Sequence, residues 1–183
     1  MAVSKNRHPL HKIIGDIVQD SEFPNCTVIK DPACGGKQNI PLFCTDTKSN
    51  GTEYCNVDLL ILKDKKIRVI VEIEEADVTP IQIFGKFLAS ALSRYFIHKT
   101  EEDAPIGMGN SVSFIQILDV SRVIQGKTAK FGQWKHIEKS IRNTVPVRDS
   151  KISDYKIFFG NIYDFAEEDK KREITSYIRR VLT

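Results

Sequence analysis

Apolar residues recur at helical spacing in the first patterned stretch of the chain, where Leu10, Ile13, Ile14, Ile17 and Val18 share one face between Pro9 and Val18. Asp16, Gln19 and Asp20 fall opposite them or at the end, so the pattern predicts an amphipathic helix. From Ser21 to Asn56 the pattern gives way to Gly, Pro, Asn, Asp and Ser, as in Asp31-Pro32, Gly35-Gly36 and Ser49-Asn50-Gly51. One apolar run, Ile40 to Cys44, predicts a strand set between two loops. Val57 to Leu62 and Ile67 to Glu74 are β-branched runs joined by the polar Lys63–Lys66, which predicts a β-hairpin. Runs this continuous point to strands covered on both faces. Thr79-Pro80 then supplies an N-cap and a first-turn proline. Ile81, Phe84, Phe87, Leu88, Ala91, Leu92 and Tyr95 follow with helical period, predicting a helix of about 18 residues. After a polar loop from His98 to Asn110, the pattern predicts a strand over Val112–Val120, a helix over Gln133–Asn143, a strand over Tyr155–Phe159 and a last helix over Phe165–Val181. No repeat or composition break divides residues 1–183, so one α/β domain is expected.

Three acids interrupt this apolar hairpin. Alternation puts Asp58 on the face of Leu60 and Leu62, and Glu72 and Glu74 on the face of Ile70. In an antiparallel pair the start of one strand lies beside the end of its partner, so the three carboxylates are expected to converge at one end of the sheet. Gathering like charges in a partly desolvated place is costly unless something positive sits there. A hard divalent cation with oxygen ligands meets that need, and Mg²⁺ is commonly held by one or two carboxylates together with water and a phosphate. Such an ion activates bound water and stabilises charge on a phosphate under attack. The structural alternative is a solvated sheet rim, with Glu74-Glu75 as ordinary surface charge.

Asp58, the hairpin turn, Glu72-Ile73-Glu74 and the amphipathic helix after Thr79-Pro80 resemble the PD-(D/E)xK nuclease superfamily. The resemblance implies a restriction-endonuclease-like fold, a central mixed β-sheet flanked by helices with core order αβββαβ, over about the first two thirds of the chain. It implies that Asp58 and Glu72 ligate Mg²⁺ or Mn²⁺, and that Glu74, in the motif's lysine position, binds metal or activates water. Lys86 on the next helix is the alternative cation for the site, as where the family's lysine has migrated. Val57 stands where the motif's name has proline. Asp16 or Asp20 of the first helix is a candidate assisting acid, and Glu53 a weaker one. The implied activity is metal-dependent endonucleolytic hydrolysis of DNA phosphodiesters, most specifically by a type II restriction-like enzyme acting as a homodimer. The alternatives are a repair or recombination nuclease, or an inactive nuclease-fold module that binds nucleic acid or serves assembly.

Composition changes this picture in two places. The net charge of +3 conceals an asymmetry: residues 1–120 carry 13 Lys+Arg against 16 Asp+Glu, whereas residues 121–183 carry 14 against 8. The basic residues concentrate in Lys127, Lys130, Lys135, Lys139 and Arg142 and in Lys170, Lys171, Arg172, Arg179 and Arg180, which are candidates for phosphate-backbone contact. Trp134 is expected to be packed rather than stacked on a base. Cys26, Cys34, Cys44 and Cys55 fall in one stretch without a C-x-x-C pair, so a structural zinc or iron site there is a weak expectation. His8 and His11, three apart, are a minor metal possibility; His98 and His136 lack a partner at metal spacing. No leader-like or membrane-spanning apolar run occurs, and a cytoplasmic setting without disulfides is expected.

Overall fold

The computed structural model describes residues 8–75, 78–98, 104–121 and 128–183, with side chains from residue 130 in the last segment. Asp77, Lys127 and part of the expected polar loop lie outside the described residues. The chain builds a mixed α/β architecture on the expected hairpin, β4 (Leu59–Lys63) and β5 (Lys66–Glu74). Their two-residue turn places both Asp64 and Lys65 at positive φ, 53° and 56°. That left-handed pair suits the twist of the flanking strands.

An eight-stranded mixed sheet grows outward from this hairpin. β1 (Cys26–Lys30) pairs antiparallel with β4, and β5 pairs in parallel with β7 (Ile106–Asp119). The β5-to-β7 crossover contains α2 (Pro80–Leu92). β8 (Ile152–Gly160) pairs in parallel with β7 after α3 (Thr128–Thr144). A side ribbon of β2 (Ile40–Phe43), β3 (Glu53–Val57) and the two-residue β6 (Tyr95–Phe96) joins the first part of β7 through β6.

Both sheet faces are covered, as the continuous apolar runs require. On one face Leu60, Leu62, Ile67 and Ile70 pack with Ile83 and Phe87 of α2 and Trp134, Ile137 and Ile141 of α3. On the other, Leu59, Ile61, Val69, Val71 and Ile73 pack with Leu10, Ile14 and Ile17 of α1 (Pro9–Ile17), Phe165 of α4 (Ile162–Ala166) and Ile174 and Ile178 of α5 (Glu168–Leu182). α1 is held close because Gly15 has no side chain. A Cβ there would lie 2.0 Å from the Cys34 carbonyl oxygen, and the Lys30 ammonium donates to the Gly15 carbonyl at 2.6 Å.

Several elements differ from the sequence expectation. α2 has 13 residues and stops at Leu92, because Arg94 donates its N–H to Phe43 and accepts from Met108, drawing Tyr95 into a strand. β1 is an additional strand, half-buried except at the exposed Thr27 and hidden among turn-forming residues. β7 begins at Ile106, upstream of the expected Val112, across glycines and polar residues that blur its period. The last helix is two, separated at Glu167, which has extended ψ. Asp58 is a bend residue between β3 and β4 rather than the opening of a strand. No helix among the described residues is long and apolar enough to cross a membrane.

Candidate active site

The bend at Asp58 is fixed at both ends of the residue. Its carbonyl accepts from the Asp31 N–H at 2.9 Å, and its carboxylate Oδ2 accepts from the Ile73 N–H at 2.6 Å. The ladder pairs Leu59 with Val71 just before the acids, so this hydrogen bond continues the pairing through a side chain and places Asp58 beside the end of β5.

On β5, Glu72 faces α2 and is 1% exposed, an exceptional place for a carboxylate. The Lys86 Nζ of α2 donates to Glu72 Oε2 at 2.9 Å and lies 2.6 Å from Glu74 Oε1. Lys86 is set there by the start of its helix, where the Thr79 N–H and hydroxyl both donate to Gln82 Oε1 at 2.8 Å. The neighbouring ladder position on β7 holds Gln116, fully buried, whose amide donates to the Ile83 carbonyl at 3.5 Å and whose Oε1 accepts from the Tyr155 hydroxyl. Gln116 thus ties β7 to α2 next to Glu72.

Burial pushes the Glu72 carboxyl up to about 8; Lys86 opposes the shift, and the charges of Asp58 and Glu74 add to it. Burial alone would lower the Lys86 pKa, but Glu72 and Glu74 outweigh it and keep the ammonium charged. The positive charge at this end of β5 is the Lys86 ammonium, between Glu72 and Glu74.

Asp58, Glu72 and Glu74 are brought to one end of the sheet, as their spacing predicts, but not to one point. Among the described residues their oxygens do not form a group of three at mutual metal-ligating distance, and the Lys86 ammonium sits between the two glutamates. On the other side of the strand end, His11 of α1 lies with Nε2 3.5 Å from Asp58 Oδ1 and Nδ1 3.3 Å from Glu75 Oε1. His8 Nδ1 lies 3.3 Å from Glu75 Oε2. Burial disfavours charge on His11, yet Asp58 and Glu75 together raise its pKa above 6.5. α1 thus meets the site through His11.

Neither candidate acid of the first helix fills that place. Asp16 is exposed, and Asp20 is exposed with its Oδ1 accepting from the Val28 N–H at 2.7 Å. Glu53 is exposed and accepts from Asn56 at 2.7 Å. The four cysteines do not meet. Cys26 and Cys34 pack with the α1-side core, Cys55 packs with the α2-side core, and Cys44 lies in the β2–β3 hairpin. Burial raises the Cys34 and Cys55 thiols, the latter to about 11, so both stay protonated at neutral pH. Trp134 is packed, 1% exposed. His136 is exposed, and His98 stacks on Phe96 at 6.3 Å.

The basic residues divide. Lys170, Lys171, Arg172 and Arg179 pair with Glu173, Glu168, Asp169 and Glu22, respectively. Arg142, Lys156, Arg172 and Arg180 line a groove of about 760 Å³ along β8 between α3 and α5, and Lys135 and Lys139 extend it. β8 is two strands from β5, roughly 10 Å at ordinary strand spacing. No family model, curated protein or solved structure matches this chain.

Proposed function

We propose that the chain is a metal-dependent endonuclease that hydrolyses DNA phosphodiester bonds, of restriction-endonuclease-like fold and type II restriction-like character. The observation that carries this reading is Glu72, a carboxylate 1% exposed at the end of a central strand, with Asp58 beside it and Lys86 and Glu74 against it. An apolar residue would stabilise that position more simply, so a buried acid flanked by further acids suits work on a charged substrate. The order α1, β1, β4, β5, α2, β7, with β2 and β3 inserted after β1, supports the family's αβββαβ core.

The donor chemistry suits a hard cation, although the three acids do not converge on one point. Glu72 Oε2 and Glu74 Oε1 already converge on one positive charge, that of Lys86, and all three acids offer oxygen only. Asp58 and Glu72 would hold Mg²⁺ or Mn²⁺, which supplies charge stabilisation and an activated water when bound. Glu74 takes the proton of the attacking water as general base. Lys86 balances charge on the phosphate oxygens, and the Ile73 N–H fixes the Asp58 carboxylate. Phosphates beyond the reacting one meet Arg142 and Arg180 in the groove along β8, whose other cations, Lys156 and Arg172, are paired with Glu138 and Asp169.

The test is cleavage of supercoiled plasmid by the purified chain. Nicked or linear product in Mg²⁺ or Mn²⁺, and none in EDTA, is the expected result. Intact plasmid in both ions, with DNA still bound, assigns a nucleic-acid-binding module instead. Preference for branched or damaged DNA over intact duplex marks a repair or recombination nuclease.

The homodimer belongs to the same proposal. Ile81, Phe84, Leu88 and Leu92 form one apolar stripe on α2, each at least 39% exposed. A second copy meeting it across a two-fold axis covers the stripe and supplies one site per strand. Sedimentation should give a dimer, and Leu88→Asp a monomer. A monomeric wild-type chain at working concentration removes this element of the proposal.

A further inference from the structure

We infer that His8, His11 and Glu75 form a second metal site, for a borderline transition ion of the Zn²⁺ class, at the start of α1 and separate from the carboxylates Asp58 and Glu72. The three side chains offer two imidazole nitrogens and a carboxylate oxygen within 4.8 Å of one another.

Glu75 is held in place by the helix itself. Its Oε1 accepts from the N–H groups of Leu10 and His11, the latter at 3.0 Å, and so caps a helix whose own N-cap residue, His8, makes no side-chain cap. Those hydrogen bonds leave Oε2 directed toward His8.

The second observation is a buried nitrogen beside a carboxylate with which it makes no hydrogen bond. His11 is 8% exposed, and its Nδ1 is buried with no hydrogen-bond partner. It lies 3.3 Å from Glu75 Oε1, the oxygen that caps the helix, and His8 Nδ1 lies 3.3 Å from the other oxygen, Oε2. A charge-assisted N–H···O contact is shorter, about 2.7–2.9 Å. Two ligands each about 2.0–2.1 Å from a tetrahedral ion stand about 3.3–3.4 Å apart. Both contacts are longer than such a hydrogen bond, and each imidazole nitrogen stands from its own Glu75 oxygen at the spacing of two ligands on one ion.

The other nitrogen of His11 agrees. A metal-bound imidazole ordinarily gives its second N–H to a carboxylate, and His11 Nε2 faces Asp58 Oδ1 at 3.5 Å. A His₂-carboxylate set favours Zn²⁺ or its analogues over Mg²⁺, which prefers all-oxygen surroundings. His8, with its side chain 54% exposed, leaves the ion open to water on one side. An ion here clasps α1 to the end of β5 and holds His11 toward Asp58.

The test uses the full chain and Co²⁺ or Zn²⁺ in excess Mg²⁺, so it does not depend on cleavage. Wild type should take up one equivalent of Zn²⁺ by calorimetry, and its Co²⁺ form should show tetrahedral visible bands without thiolate charge transfer. His8→Ala, at a half-exposed position that leaves the core intact, should weaken binding at least about tenfold. Glu72→Gln should bind Zn²⁺ as wild type does, which separates this site from the proposed nuclease centre. No stoichiometric uptake, a His8→Ala affinity equal to wild type, or thiolate absorption from the cysteines overturns the inference.

Discussion

Asp58→Asn and Glu72→Gln are each expected to slow Mg²⁺-dependent plasmid cleavage by about 10³-fold, because charge stabilisation from a bound ion is worth several kcal/mol and each 1.36 kcal/mol is tenfold in rate. Both substitutions keep volume and remove charge. In the first variant the new amide oxygen still accepts from the Ile73 N–H, which holds the bend at the start of β4, and in the second it still accepts from Lys86. The folded state therefore survives, and the loss reads as chemistry. Initial rates of supercoil loss, with near-ultraviolet circular dichroism as the control for folding, make the measurement. Both variants cleaving at the wild-type rate would remove these carboxylates from the reaction. The loss should also be common to Mg²⁺ and Mn²⁺, since it removes a ligand rather than altering preference between ions.

These two residues were accessible to sequence reasoning because strand geometry is local. A short turn fixes the register of Leu59–Lys63 against Lys66–Glu74, which brings Asp58 beside the end of β5. The face expected for Asp58 did not follow, because it sits in a bend where the Ile73 N–H and His11, not strand alternation, place its carboxylate. Lys86 followed from the helix started by Thr79-Pro80. His11 and Glu75 did not follow, since the backbone of His11 meets Glu75 across 64 residues and the contact depends on how α1 seats on the sheet. The available signal was weak: two histidines three apart at a proline-started helix, and an acid just past a strand end. The cysteines illustrate the opposite failure. Nearness in sequence suggested a site, but the strands carry Cys26 and Cys55 to different cores. β1 and β6 were hidden for a related reason, because pairing with a neighbour, not their own composition, makes them strands.

The buried acid also makes stability depend on pH in a direction opposite to that of most paired carboxylates. Burial raises Glu72 from its ordinary 4.5 to about 8, so across that window the folded chain keeps a proton that the unfolded chain has released. The unfolding free energy then falls as pH rises from 4.5 to about 8, and this group adds no further slope outside that range. His11, also raised, contributes a loss of the same sign, but only above its ordinary 6.5. Glu72→Gln should therefore flatten the profile, most diagnostically below 6.5 where His11 is silent. In urea titrations across the window, wild type should lose about 2–4 kcal/mol more than the variant. At pH 8 the variant should be the more stable protein even though the proposed function makes it the less active one. Parallel profiles for the two chains would mean that Glu72 ionises near its ordinary value. Mg²⁺ or Mn²⁺ added at pH 8 should restore part of the wild-type loss and leave Glu72→Gln less affected, because an ion that binds only the folded carboxylates adds stability by mass action. Under the proposed function the same residue would link activity to stability: the proton that stabilises the fold at low pH would have to leave before a cation could take its place.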